Sequence, residues 1–255
     1  MRGPDELGAL LAEHLDGLAF ADELGPLDEA LRYALEGGKR VRGVICLATA
    51  EAAGGAAEDA LAAGAALELV HAFSLVHDDL PALDDDEVRR GRPSVWARYG
   101  EAVAILVGDA LLAEGFRAAL AYERADVARE LAEATLGMIG GQYLDVTASA
   151  PDPATLHRLK TGALLGASVG VGVRVAGVPE AEQGPWRAFG GELGLLFQLV
   201  DDLLDGDGFV LTEGAEETRR LADEAAARAR ARLAEIPAPT AVLAGIVHSL
   251  AARTA

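Results

Sequence analysis

The chain of 255 residues has one cysteine, Cys46, so no internal disulfide can form, and such usage fits a reducing cytoplasm. It has no basic excess. Lys and Arg number 22 against 41 Asp and Glu, a net charge of −19. Nucleic acid and anionic membrane surfaces both need a broad basic face, so neither is expected as a partner. Aromatics make up only 5% of the chain, and β-branched residues seldom alternate with polar ones, so the usual marks of sheet are missing. No apolar run approaches the ~18–20 residues of a membrane span. The longest, 163–173, is glycine-rich and bounded by Lys160 and Arg174, so no stable membrane insertion is expected. The N-terminus lacks the basic and apolar parts of a signal peptide. The expectation is a soluble cytoplasmic protein.

What is present is helix-forming. Alanine, leucine and glutamate dominate, and 51% of residues are hydrophobic, enough for a large core. Leu7, Leu10, Leu11, Leu15 and Leu18 recur at helical spacing, and Pro26 opens a second helix that stops at Gly37-Gly38. Further helices are expected over 44–53, 58–77, 94–99, 101–120, 124–146, 154–173, 186–204, 221–234 and 242–252. Asp109, inside the apolar run 103–112, is expected to be buried. Gly141 suggests a close helix contact, and 221–234, with few apolar anchors, suggests a solvent-facing helix. With no repeat or composition break, 1–255 is read as a single all-α domain.

Six acids fall within residues 78–87, headed by Asp78, Asp79 and Asp84, directly after the apolar stretch 67–76. Carboxylates about 4 Å apart repel by ~4 kcal/mol at an effective dielectric of 20, so the cluster is either well solvated or neutralised by cations. Hard divalent ions with oxygen ligands, above all Mg²⁺, suit it. A second cluster, Asp201, Asp202 and Asp205, lies among Leu195 to Leu204, and Asp201 and Asp205 share a helix face. Phe209 and Val210 break the order of an EF-hand loop, and five scattered histidines offer no zinc spacing. Arg89 and Arg90 follow the first cluster, and Lys39 with Arg42 forms a second basic site. Arginine forks suit phosphate oxygens, so a diphosphate ligand is expected. The plainer alternative for 37–43 is a helix C-terminus with dipole-compensating bases. No glycine-rich segment follows an expected strand, which argues against a nucleotide loop.

Gly37-Gly38-Lys39-Arg40, His71, the acids at 78–84, Arg89-Arg90-Gly91-Arg92-Pro93, Gly140-Gly141-Gln142, Lys160-Thr161-Gly162, Phe197-Gln198 and Asp201-Asp202 occur in that order. The set, from about residue 28 to 205, resembles the trans-isoprenyl diphosphate synthases (polyprenyl synthetases) of the bacterial farnesyl/geranylgeranyl diphosphate synthase type. The resemblance implies an orthogonal all-helical bundle around a deep central cavity, the isoprenoid synthase fold, usually as a homodimer. It implies three Mg²⁺ per site, with Mn²⁺ as a substitute, held by Asp78, Asp79, Asp84, Asp201, Asp202 and Asp205. Arg89, Lys160 and Gln198 would assist at the allylic diphosphate, and Lys39, Arg42, His71 and Arg90 would hold isopentenyl diphosphate. The implied chemistry is ionisation of the allylic diphosphate, attack by the alkene of isopentenyl diphosphate, and proton loss. Lys160-Thr161 and the Gln198 amide oxygen would stabilise the cation.

Phe73, five residues before Asp78, with Ser74 beside it and Pro81-Ala82 inserted in the acidic run, looks like the short-product, C15 arrangement, with C10 or C20 as alternatives. The resemblance also has departures. Gly43 stands where the family commonly has proline. The segment after Asp205 is short, and no lysine follows Lys160, whereas the family usually carries a lysine-bearing loop there. A non-catalytic prenyl-diphosphate-binding homologue or regulatory subunit is therefore an alternative, and a terpene cyclase a further one.

Overall fold

The computed structural model describes residues 1–150 and 152–254. Thirteen α-helices are described: α1 (Pro4–Asp16), α2 (Leu27–Leu35), α3 (Val41–Ala52), α4 (Leu61–Asp78), α5 (Val95–Tyr99), α6 (Glu101–Ala119), α7 (Asp126–Val146), α8 (Pro153–His157), α9 (Ala163–Val175), α10 (Gly184–Asp205), α11 (Phe209–Glu213), α12 (Ala215–Ala234) and α13 (Ala241–Ala251). Two short strands, β1 (Val88–Arg89) and β2 (Arg92–Pro93), pair antiparallel, with Arg89 opposite Arg92. The all-α expectation holds.

Helix α4 is central because it carries small and apolar residues on most of its faces. Ala63, Ala65, Ala66, Leu67, Leu69 and Val70 are all buried. It packs against α3, α6 and α9, while α10 packs against α9 and α12. Each fully buried leucine in this core contributes ~1.5–3 kcal/mol. Together with the 3₁₀ turn before it, α4 forms the segment Glu58–Asp78, long and apolar enough by length and composition to cross a membrane. Glu58, Asp59, Glu68 and His71 interrupt it, so the sequence shows no unbroken apolar run there. In the bundle, 67% of its most apolar window is buried against other helices.

Three other expectations change. Asp109 is exposed, because α6 turns Ile105 and Leu106 to the surface beside it. Helix α12 is not purely solvent-facing: Ala222, Ala225, Ala226 and Ala229 bury a narrow stripe against α10. Short side chains let the two backbones approach closely, so few large anchors are needed. Finally, α3 begins at Val41 rather than 44, which puts Arg42 in its first turn.

Candidate active site

Helix α4 ends at Asp78, and the acidic run then folds back over that end. The amide of Asp84 donates to the Asp78 carbonyl (2.9 Å), and the amide of Asp86 donates to that of Asp79 (3.1 Å). Asp79 is buried, and its Oδ1 accepts from Arg89 Nε (2.9 Å) and Nη2; Arg89 also reaches Asp86 (3.1 Å). Asp78 and Asp84 form no salt bridge among the described residues. Burial pushes the Asp78 carboxyl up to about 6; Lys160 opposes this, and the neighbouring Asp84 and Asp79 add to it. The turn between β1 and β2 holds Arg90 at φ +55° beside Gly91 at +74°. A bulky residue in the left-handed region is the kind of backbone strain that clusters at functional sites.

Helix α10 supplies the second cluster. Asp202 is buried and fully engaged: Oδ1 accepts from Gln198 Nε2 (2.5 Å) and Oδ2 from the Phe209 amide (2.8 Å). Gly208, at φ +49°, has no room for a Cβ because the Asp202 carboxylate fills that space. Phe209 stacks on His157, ring centroids 4.9 Å apart. The short segment after Asp205 is therefore pinned to the end of α10. Asp201 and Asp205 stay accessible, without a salt bridge among the described residues. Burial raises the Asp201 carboxyl to about 6, with Arg253 opposing and Asp205 adding.

The cations gather where α3 begins. Lys39, Arg42, His71, Arg90, Asp201 and Arg253 line a cavity of about 740 Å³. Among the described residues Arg42 Nε is buried with no hydrogen-bond partner, and its guanidinium lies over the Phe197 ring, 5.8 Å from the centroid. Burial, reinforced by Arg42 and Arg90, keeps His71 well below its ordinary pKa and hence neutral. Arg90 packs over Gly38, where a Cβ would come within 2.8 Å of its guanidinium carbon. The dipole-compensation alternative holds for one residue: the Arg40 guanidinium donates to the carbonyl of Leu35, the last residue of α2, while its backbone stands at the N-terminal, positive end of α3. Cations massed at a positive helix end are mutually unfavourable until an anion joins them.

Lys160 and Thr161 sit in a π-helical turn, Arg158–Gly162. Gly141 of α7 lies against that turn, and a Cβ there would collide with the Lys160 backbone, so the expected close contact is made. Lys160 Nζ pairs with Asp145 Oδ2 at 2.6 Å. Both amide atoms of Gln142 are buried without a hydrogen-bond partner among the described residues. Phe73 is buried, its ring edge-on to His77, whose Nε2 lies 3.1 Å from the Ile105 carbonyl of α6. Ser74 Oγ donates to the His71 carbonyl (2.9 Å). The site also contains Glu68, Asp145 and Arg253, which sequence reasoning passed over. The only signal for Glu68 is that it stands as an acid inside an apolar helix; Arg253 gives none.

His71, seven residues or about 10 Å along α4 from Asp78, lines the cavity with Asp201 of α10. Both acid-bearing helices thus border one cationic cavity. Fold and site together define an all-helical protein built to hold polyanions between carboxylate clusters and arginines. The chain belongs to the polyprenyl synthetase family, whose profile residues 25–214 match. It is 42% identical over 194 residues to a geranylgeranyl diphosphate synthase of Cyanophora paradoxa, covering 69% of this chain and 64% of that protein. It is 38% identical over 198 residues to the farnesyl diphosphate synthase of Bacillus subtilis, covering 71% and 67%. A crystal structure of an FPP/GFPP synthase from Zymomonas mobilis superposes with a TM-score of 0.82 at 32% identity, covering 97% of this chain and 95% of that one. The chain spans 64%, 59% and 58% of three of the curated relatives it matches.

Proposed function

We propose that the protein is a metal-dependent trans-prenyltransferase, joining isopentenyl diphosphate to an allylic diphosphate to give a short-chain isoprenyl diphosphate, C15 or a neighbouring length. The observation that carries this reading is the pairing of four acids, Asp78, Asp84, Asp201 and Asp205, with an arginine-lined cavity: among the described residues the acids form no salt bridge and Arg42 Nε has no hydrogen-bond partner.

The donors fit a hard divalent ion, being carboxylate oxygens, and burial with neighbouring acids raises Asp78 and Asp201 to about 6. Among the described residues no three His, Cys, Asp or Glu side chains converge on one point. Such an ion would therefore complete its shell with water and phosphate oxygens. Asp78, Asp84, Asp201 and Asp205 are the residues to hold it, with Asp79 and Asp202 as anchors for Arg89 and for Gln198 and α11. When bound, Mg²⁺ supplies electrostatic stabilisation of a departing diphosphate. Lys39, Arg42 and Arg90 bind and orient isopentenyl diphosphate, and neutral His71 contributes a hydrogen bond there. Lys160 adds a cation near Asp78. The Thr161 hydroxyl and the Gln198 amide oxygen suit a developing allylic cation.

A second reading, a non-catalytic prenyl-diphosphate binder or regulatory subunit, draws on one feature: the segment after Asp205 carries no lysine and is pinned by Asp202. A cyclase is disfavoured by the cationic cavity, since it needs no isopentenyl site. We also place the protein in a reducing compartment, the cytoplasm, and as a homodimer. Ile105 and Leu106 of α6 and Leu136, Ile139 and Tyr143 of α7 are exposed apolar side chains on two helices that pack together, which suits a second copy. Incubation with Mg²⁺, isopentenyl diphosphate and each allylic primer should give elongated product that EDTA abolishes. No product with any primer would favour the second reading, and hydrocarbon formed without isopentenyl diphosphate would favour the cyclase.

A further inference from the structure

Glu68 stands among Leu67, Leu69 and Val70 on α4 and is 3% exposed. A carboxylate buried to that degree is costly unless hydrogen bonds and opposite charge compensate it. Its hydrogen bond comes from another helix: the Gly43 amide donates to Oε1 at 2.8 Å. Gly43 is the third residue of α3, whose amide has no partner within the helix, and no side chain of α3's own entry caps that end. Glu68 is therefore a cap delivered across the bundle. The contact has its own steric requirement: a Cβ on Gly43 would collide with Leu11 and lie 3.3 Å from Glu68 Cγ. Glu68 also lines the 740 Å³ cavity with Arg40, Arg42 and Arg90. It is the foremost charge stabilising the cationic forms of Arg40 and Arg42.

We propose that Glu68 is a positioning residue: by capping α3 and balancing its arginines, it holds Arg42 aimed at the diphosphate cavity without touching the ligand. This rests on the reading of that cavity as the isopentenyl diphosphate site. The sign of its effect separates it from simpler roles. A bystander carboxylate beside a diphosphate repels it, so its removal would tighten anion binding. A purely structural cap would lower stability and disturb both substrates alike. A positioning role loosens isopentenyl diphosphate alone.

The test compares the parent chain with Glu68→Gln. Inorganic pyrophosphate is titrated in EDTA, where metal cannot bring it to the aspartates, and KM is measured for each substrate. The expected result is about a tenfold loss of pyrophosphate affinity and a similar rise in KM for isopentenyl diphosphate. The KM for the allylic primer and kcat should stay within about twofold. Equal or tighter pyrophosphate binding, no binding by the parent, or an equal rise in both KM values overturns the proposal. A parent that binds pyrophosphate but elongates no primer removes the proposed activity, while the pyrophosphate comparison still decides Glu68. If Glu68→Gln does not fold, Glu68→Asp keeps the charge but shortens the reach to Gly43. It should weaken pyrophosphate in the same direction, and unchanged or tighter binding again overturns the idea.

Discussion

Asp201 lies one turn before Asp205 on the last turns of α10, and burial holds its carboxyl at about 6 instead of 3.8. Between roughly pH 4 and 6 the folded chain then keeps a proton that the unfolded chain has released. On this account the stability of the metal-free protein falls as pH rises through that window. Asp201→Asn removes the cost: in EDTA at pH 7 it should raise Tm by roughly 2–4 °C, about 1 kcal/mol, in a thermal melt. With Mg²⁺ the same variant should lose ~100-fold in kcat. Arg42→Gln should raise KM for isopentenyl diphosphate by roughly 10–100-fold, because it removes a cation whose Nε has no hydrogen-bond partner among the described residues. The aspartate clusters and Arg42 were legible in the sequence because their chemistry is concentrated in short runs. Glu68 and Gly43 were not, because they are 25 residues apart and acquire meaning only when α3 and α4 meet. The glycine at the family's usual proline position is then intelligible, since proline has no amide to donate to Glu68.

At the scale of elements, the π-helical turn carrying Lys160 depends on α7. Gly141→Ala would drive a methyl into the Lys160 backbone, which cannot move aside as a side-chain tip would. We expect a loss of about 1–3 kcal/mol in denaturant unfolding and a larger fractional loss in kcat than in substrate affinity. Helix periodicity located most elements but not which faces are buried. Asp109 looked buried because its neighbours are apolar, yet it shares the outward face with Ile105 and Leu106 while Val107, Ala110 and Leu111 turn to the core. Helix α12 looked exposed because alanine carries little hydrophobic signal, although it suits close packing. Phe73 belongs to this scale as well, since its ring sits where α4 meets α6 through His77. Phe73→Ala should lengthen the product by one or more isoprene units in chain-length analysis; an unchanged product distribution would remove Phe73 from length control.

For the whole molecule, the exposed face of α6 and α7 makes assembly testable. Leu136 and Tyr143, 69% and 66% exposed, are large apolar side chains that a monomer gains nothing by displaying. Leu136→Glu with Ile139→Glu should convert a dimer to a monomer in analytical ultracentrifugation. If the parent already sediments as a monomer, the homodimer is wrong.

The engagement of Asp202 has one more consequence. A carboxylate accepts hydrogen bonds and donates none, so Gln198 must turn its Nε2 toward Asp202. The amide then points its oxygen the other way, and its dipole has a fixed polarity. Asp202→Asn keeps the shape but introduces a donor, which lets the amide rotate by half a turn and present hydrogens instead. A side chain that need never meet the substrate thus decides whether a nascent cation faces the negative or the positive end of its neighbour.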